Sequence, residues 1–154
     1  MGVANRVQSC LSEARVAYDV IPHRFSEGSR ATAEAAGVPA YELAKAVVIT
    51  DGWRYLMAVV PADRHLDLTD FARRMGTPLT LVAEWRLRPV FRDCMAGAIP
   101  PLGAAYGLET WVDDALVGLP EVYFESGDHE DLVRVRGDQF LRLMKDARFA
   151  RLSH

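Results

Sequence analysis

Lys45, in the run ELAKAVVIT (42–50), is the first residue whose type and place could do chemistry. By period two it shares a strand face with Val47 and Ile49. An ammonium on such a face either snorkels outward at the strand end or sits in a pocket against an anion. The second feature is GAIPP at 97–101, followed by Leu102 and Gly103. Gly97 lets the backbone approach a ligand closely or take a positive φ, and the Pro pair keeps the turn stiff. Exposed N–H groups in such a loop could form an oxyanion hole, and the same composition also makes a rigid structural turn. The third is ESGDHED at 125–131, which reads either as a solvated hairpin tip or as a cleft rim. In the second case Ser126 and His129 stand where a neutral imidazole can hydrogen-bond a substrate or a water. His23, just after Pro22, has a similar pair of readings: a site residue, or a cap on a strand end.

The familiar catalytic sets are missing. There is no GxSxG elbow, no HExxH and no Cys beside a His, and the four His (23, 65, 129, 154) are scattered, so the sequence proposes neither a serine hydrolase nor a metal site. Cys10 and Cys94 stand far apart without CxxC spacing; they read as small, unpaired, buried or half-buried fillers suited to a reducing compartment. No GxGxxG or GxxxxGK[ST] points to a bound nucleotide cofactor. An enzyme of this composition would work by positioning and backbone polarity, with no cofactor.

These features need elements to hold them. Val3, Val7, Cys10, Leu11 and Ala14 recur at helical spacing in the first segment, and 18–21 reads as a short strand stopped by Pro22. SRATAEAAG predicts a helix capped at Ser29 or Thr32 and ended by Gly37, with a single helical turn following over 39–43. AKAVVIT (44–50) and WRYLMAVVPA (53–62) predict a hairpin closed by a two-residue Asp51-Gly52 turn. LDLTDFARRMG (66–76) predicts a helix with Asp67 as N-cap and Gly76 as its stop. Beyond it come a strand over 79–83, a helix in EWRLRPVF limited by Pro89, an irregular loop over 93–107, and strands at ETWVDD, EVYFES and DLVRVR. A closing helix begins at Asp138. The irregular mixing and the antiparallel hairpin favour an α/β domain on a mixed sheet over a doubly wound parallel one.

The chain has 154 residues, half of them hydrophobic, which suits one domain over 1–154 with a single core. With 18 basic and 21 acidic residues it has no cationic field for gripping long nucleic acid, although a contact to one nucleotide end fits. Lysine occurs only at 45 and 145, every other basic residue being Arg, which singles out Lys45. No run approaches the roughly 18–20 apolar residues of a membrane span, the N-terminus lacks a secretory signal, and Arg6 occupies the position where a myristoylation motif has Ser or Thr. A cytoplasmic protein with no membrane partner is expected.

Taken in order, ELAKAVVI, AVVPADRHLDL, GAIPPLG with the following VDD, and VYFESGDHEDLVRV resemble the YbaK/prolyl-tRNA-synthetase-associated domain family of bacterial trans-editing aminoacyl-tRNA deacylases, over about 18–144. The resemblance implies a compact α/β domain with a mixed, barrel-like sheet surrounded by helices. It also implies hydrolysis of the ester on a mischarged tRNA, most often tRNA for proline carrying Ala, Ser or Cys, by water with help from a substrate ribose hydroxyl. No metal, cofactor or covalent nucleophile takes part. Carried over by residue, Lys45 contacts the terminal phosphate or orients the substrate. Gly97, Ala98, Ile99, Pro100 and Pro101 form the loop whose N–H groups hold the carbonyl. Asp113 lies near the pocket floor, Gly127 and His129 with Ser126 line the pocket, and Tyr18 and His23 join the substrate-binding set. Its partners would be the acceptor end of a mischarged tRNA and an aminoacyl-tRNA synthetase, met by a monomer or weak homodimer. A non-catalytic module that binds an aminoacylated or nucleotide end is the alternative.

Overall fold

The computed structural model describes residues 2–154. Tyr55–Pro61 (β3) lies at the centre because its run of apolar residues is buried on both faces, as a covered sheet requires. Met57 and Val59 face one core and Leu56, Ala58 and Val60 face the other. Its hairpin partner is Leu43–Thr50 (β2), in antiparallel register from Ala44↔Pro61 to Thr50↔Tyr55. The connection has four residues rather than the expected two. Asp51 accepts hydrogen bonds from the amides of Trp53 (2.8 Å) and Arg54 (3.0 Å), which rounds the turn into a wider loop with Gly52 at φ 96°.

Around this hairpin the remaining strands build one mixed sheet. They are Asp19–Pro22 (β1), Thr80–Leu81 (β4), Glu109–Asp113 (β5), Glu121–Glu125 (β6), Asp131–Arg136 (β7) and Arg148–Ala150 (β8). The order is β1-β7-β6-β2-β3-β5-β8, with β4 paired to β2. The β2·β6, β3·β5 and β5·β8 pairs are parallel and the others antiparallel, as the mixed-sheet expectation held.

Helices cover the sheet. Asn5–Glu13 (α1) buries Val7 and Leu11, and Gly137–Leu143 (α5) buries Phe140, against the core that contains Met57, Val59, Val122 and Phe124. Leu68–Met75 (α3) sets Phe71 on the opposite face with Ile49 and Leu56. Ser29–Ala36 (α2) lays Ala33 on Leu43, Tyr123 and Leu132, and Glu84–Leu87 (α4) is a single turn ended ahead of Pro89. Among the described residues no helix is long and apolar enough to cross a membrane.

Several local expectations shift. Neither Ser29 nor Thr32 caps α2: Gly28 occupies that position, and the buried Thr32 hydroxyl bonds Ser26 Oγ at 2.8 Å. Gly37 ends the helix at φ 70°, as anticipated. The expected turn at 39–43 is a 3-10 turn at Ala40–Glu42, and the strand over 79–83 shrinks to β4. The closing helix starts one residue earlier than Asp138, at Gly137, whose missing side chain leaves room for the carbonyl of Leu119. Three-residue β8 is too short for a periodic signal.

Asp67 does cap α3, its Oδ1 accepting from the Asp70 amide at 3.1 Å. Asp67→Ala is expected to lower the unfolding free energy by about 1 kcal/mol, with no change in the slope of a urea titration. An unchanged midpoint would mean that solvent satisfies that helix end equally well.

Candidate active site

The parallel ladder between β2 and β6 is short. It runs through Leu43↔Tyr123 and Ala44↔Phe124 and then stops, so the next residues, Lys45 and Glu125, stand where the two strands part. Further along, β2 gains a new neighbour: Ile49 pairs with Leu81, Thr50 with Thr80, and the Val82 amide bonds Val48 O at 3.1 Å. Between these ladders a stretch of β2 edge opens onto a cleft of about 250 Å³. Lys45 and Val47 from β2, Leu81 at the end of β4 with Val82 after it, Glu84 and Leu87 of α4, Gly97 and Ile99 from the irregular loop, and Glu125 at the end of β6 line it. Parting strands in α/β sheets are a recurrent place for ligands, because backbone and side chains converge there without filling the gap.

The loop is anchored from behind. Asp93 accepts from the Tyr106 hydroxyl at 2.9 Å and from the Arg6 amide, the Met95 amide donates to Gly127 O at 2.7 Å, and the Ala98 amide donates to Met95 O at 3.1 Å. Gly97 is exposed at φ 80°. This corrects the expectation that all of 97–101 supplies donors. Pro100 and Pro101 have no N–H, and Ala98 is fully buried with its amide committed to the turn. Among the described residues, the amides of Gly97 and Ile99 are the two in this stretch that donate no hydrogen bond to the chain.

Lys45 is half-buried, and Nζ donates to Arg64 O at 2.7 Å at the cleft margin. Desolvation and the neighbouring Arg30 push its pKa down, and Asp63 partly opposes them. Arg30 itself reaches Asp63 O at 3.2 Å, so two cations, Lys45 and Arg30, stand close together at the cleft margin. The strand-end and pocket readings of Lys45 thus meet in one residue: it lines the cleft while its charge reaches the edge.

His129 is almost fully buried, with φ 63° and Nε2 2.6 Å from Ala96 O. A carbonyl oxygen only accepts, so Nε2 carries the hydrogen in that bond, and the buried Nδ1 has no partner. A Cβ built on Gly97 would lie 3.5 Å from His129 Cε1 and 3.3 Å from Glu84 Oε1, which places the imidazole directly under the loop as its support. Phe25 packs on the imidazole with ring centres 5.3 Å apart. Beside it, burial pushes the Glu125 carboxyl up to about 7; Asp128 adds to this, while His129 and the Thr32 hydroxyl offset part of it. Glu125 Oε2 and His23 Nε2 are also buried without a hydrogen-bond partner. Orphaned polar atoms are rare in native interiors, and with Asp128 Oδ2 four of them lie at or behind this one wall.

Other expected site residues lie elsewhere or act indirectly. Asp113 is not at the floor of this cleft. At the end of β5 its Oδ1 accepts from the Ala115 amide at 2.9 Å and its Oδ2 from the Ser153 hydroxyl, so it caps a 3-10 turn and ties down the chain end. Tyr18 is exposed ahead of β1, on a shallow surface shared with Gln8, Ser12 and Glu13. Ser126 spends its hydroxyl on Asp128 Oδ1 (3.1 Å) and Asp131 O (2.9 Å), shaping the turn rather than facing the cleft. Gly127, at φ 117°, allows Ala4 and Cys94 to pack where a Cβ would meet them at 3.1 Å, while its carbonyl holds the loop. His23 points Nδ1 at Arg24 O (2.7 Å) and stands behind the wall. Cys94 is a half-buried free thiol, as is Cys10, and burial raises both above the usual thiol range. No group of three metal-ligating side chains converges among the described residues.

Glu125, Thr32 and Glu84 were missed in the sequence. Glu125 was hidden by its company, since four acids in seven residues read as solvated turn; its place as the last residue of a buried strand was the available signal.

The fold and the cleft together define an α/β editing-type domain. The chain belongs to the aminoacyl-tRNA editing domain family, whose sequence profile matches residues 26–143. A structure proposed as a trans-editing enzyme for prolyl tRNA synthetase is 25% identical at TM-score 0.81, covering 97% of this chain and 95% of its own. A structure described in work on computational epitope backbone grafting onto scaffold proteins is 26% identical at TM-score 0.82, over 98% and 97% of the two chains. A signal-transduction candidate from Marinobacter aquaeolei VT8 shares the fold at 19% identity and TM-score 0.79, with 99% of this chain matching 31% of that one. No curated protein matches in sequence. The resemblance read from the sequence is therefore borne out at the level of the editing domain.

Proposed function

We propose that residues 1–154 act as one cytoplasmic domain, a trans-acting deacylase that clears mischarged tRNA, with tRNA for proline carrying Ala, Ser or Cys as the first candidate. The observation that carries this reading is the pair of uncommitted amides, Gly97 and Ile99, on a loop fixed from behind and facing the cleft. Such donors stabilise charge developing on an attacked carbonyl without needing a side-chain base. Water adds to the carbonyl carbon, assisted by a ribose hydroxyl of the substrate. The ester C–O bond then breaks, and the ribose oxygen takes the proton as free amino acid leaves. The pair of Lys45 and Arg30 suits the terminal phosphate, and exposed Trp85 on α4 offers a face for a nucleotide base. Contacts confined to the acceptor end fit the net charge of −3. The synthetase that charges that tRNA is the partner that would supply the substrate.

The test is release of Ala, Ser or Cys from charged tRNA for proline by the purified protein and by Lys45→Ala. Wild-type turnover above the spontaneous rate is expected, with kcat/KM about tenfold lower in the variant, mostly through KM. Saturable binding without turnover would replace the enzyme with the binding module, and release from other charged tRNAs alone would overturn the proline assignment.

A further inference from the structure

Glu125 is a carboxylate that the fold keeps at the cleft without a Lys or Arg partner. It ends β6 at the point where β6 parts from β2, its Oε2 is buried and unpartnered, and it lines the same cleft as the Gly97–Ile99 loop. Lys45, on the neighbouring strand β2, turns its Nζ to Arg64 O. Arg30 is likewise engaged with Asp63 O. From the β6–β7 turn the groups facing Glu125 are Asp128, which repels it, and His129, which attracts it but makes no hydrogen bond to it; from α2 it meets the Thr32 hydroxyl. A buried carboxylate with no cation is unfavourable unless a ligand provides one.

Resting on the deacylase reading, we propose that Glu125 is the subsite for the α-ammonium of the aminoacyl group, and that it makes the protein selective for esters with a free amino group over N-acylated ones. The stereochemistry of the substrate supports the assignment. With the carbonyl oxygen on the Gly97 and Ile99 amides, the α-nitrogen is only two bonds from the carbonyl carbon and must lie against an adjoining wall. Two carboxylates line the cleft. Glu84 is exposed on α4, where a pair with an ammonium is screened by water, whereas Glu125 is sheltered. An N-acyl group removes the charge and leaves Glu125 unpaired, so discrimination follows from desolvation as well as from attraction.

The probe is alanine joined by an amide to 3′-amino-3′-deoxyadenosine, which cannot be turned over as an ester, with its amino group free or acetylated. Titration calorimetry at pH 7.5 is expected to show wild type binding the free-amine form at least tenfold more tightly. Glu125→Gln should erase that preference by weakening the free-amine form and leaving the acetylated form unchanged, and Glu84→Gln should keep it. Equal binding of the two forms by wild type, binding of neither, loss of both forms alike in Glu125→Gln, or transfer of the effect to Glu84→Gln would each overturn the assignment. Wild-type hydrolysis of alanyl-tRNA, followed in parallel, reports on the deacylase reading separately. Turnover without amine preference defeats only the Glu125 subsite, and amine preference without turnover defeats only catalysis.

Discussion

Gly97→Val should reduce kcat/KM for aminoacyl ester hydrolysis by at least about 100-fold, with kcat bearing most of the loss, while the protein stays folded. Gly97 sits at φ 80°, a conformation that a β-branched side chain occupies only under strain, and its added atoms would press on Glu84 Oε1 and on the His129 imidazole beneath. Relief requires the loop to rotate, and rotation moves the Gly97 and Ile99 amides that the proposed function assigns to the carbonyl. The rest of the loop is held independently by Met95 to Gly127 and by the Asp93–Tyr106 bond, so the damage should remain local. Gly52→Val is the control. Gly52 has φ 96° in the β2–β3 hairpin, away from the cleft and with nothing within 4 Å of an added Cβ, so it carries similar backbone strain without touching the site. Equal rate losses in the two variants would mean that strain alone, and not displaced donors, explains the Gly97 result.

The elements that announced themselves were those with a local cause. Asp67 and Gly76 bracket α3 because a side-chain oxygen and an αL residue satisfy its two ends within the segment itself. β2 and β3 were readable from β-branched runs, and their closing turn only in part, because Asp51 bonding forward to two amides makes a four-residue loop from a dipeptide that suits a two-residue one. The site divides in the same manner. Gly97 and Lys45 stood out by type, whereas Glu125 acquires meaning only from β6 meeting β2, a contact between segments some 80 residues apart that no local pattern encodes. Asp113 shows the reverse error: an acid placed at the pocket floor by resemblance proves to be engaged with Ala115 and Ser153 at the far side of the sheet order.

Stability should fall as pH rises from 5 to 8, and Glu125→Gln should remove most of that slope. The carboxyl's ordinary value of 4.5 applies in the unfolded chain, and burial pushes it up to about 7 in the native state. Between those values the native protein holds a proton that the unfolded chain has released, so unfolding becomes easier with increasing pH; below 4.5 the penalty is absent and above 7 it is complete. A gap of this size corresponds to about 3 kcal/mol. Asp128 and His129 from the following turn, Thr32 from α2 and His23 from the preceding segment remain in the variant. So does Asp131, whose carboxyl burial and Asp128 together raise to about 6, and its share of the slope is common to both proteins. Urea unfolding of both proteins at pH 5 and pH 8 decides the matter. Near-equal stability at pH 5 and a variant more stable by that amount at pH 8 is the expected pair of results, and parallel slopes would show that Glu125 is solvated. A glutamine that stabilises the empty protein yet erases selection of the free amine would separate the two roles of the residue. Glu125 would then be kept for what enters the cleft, since an arriving ammonium offsets the same desolvation that destabilises the empty site.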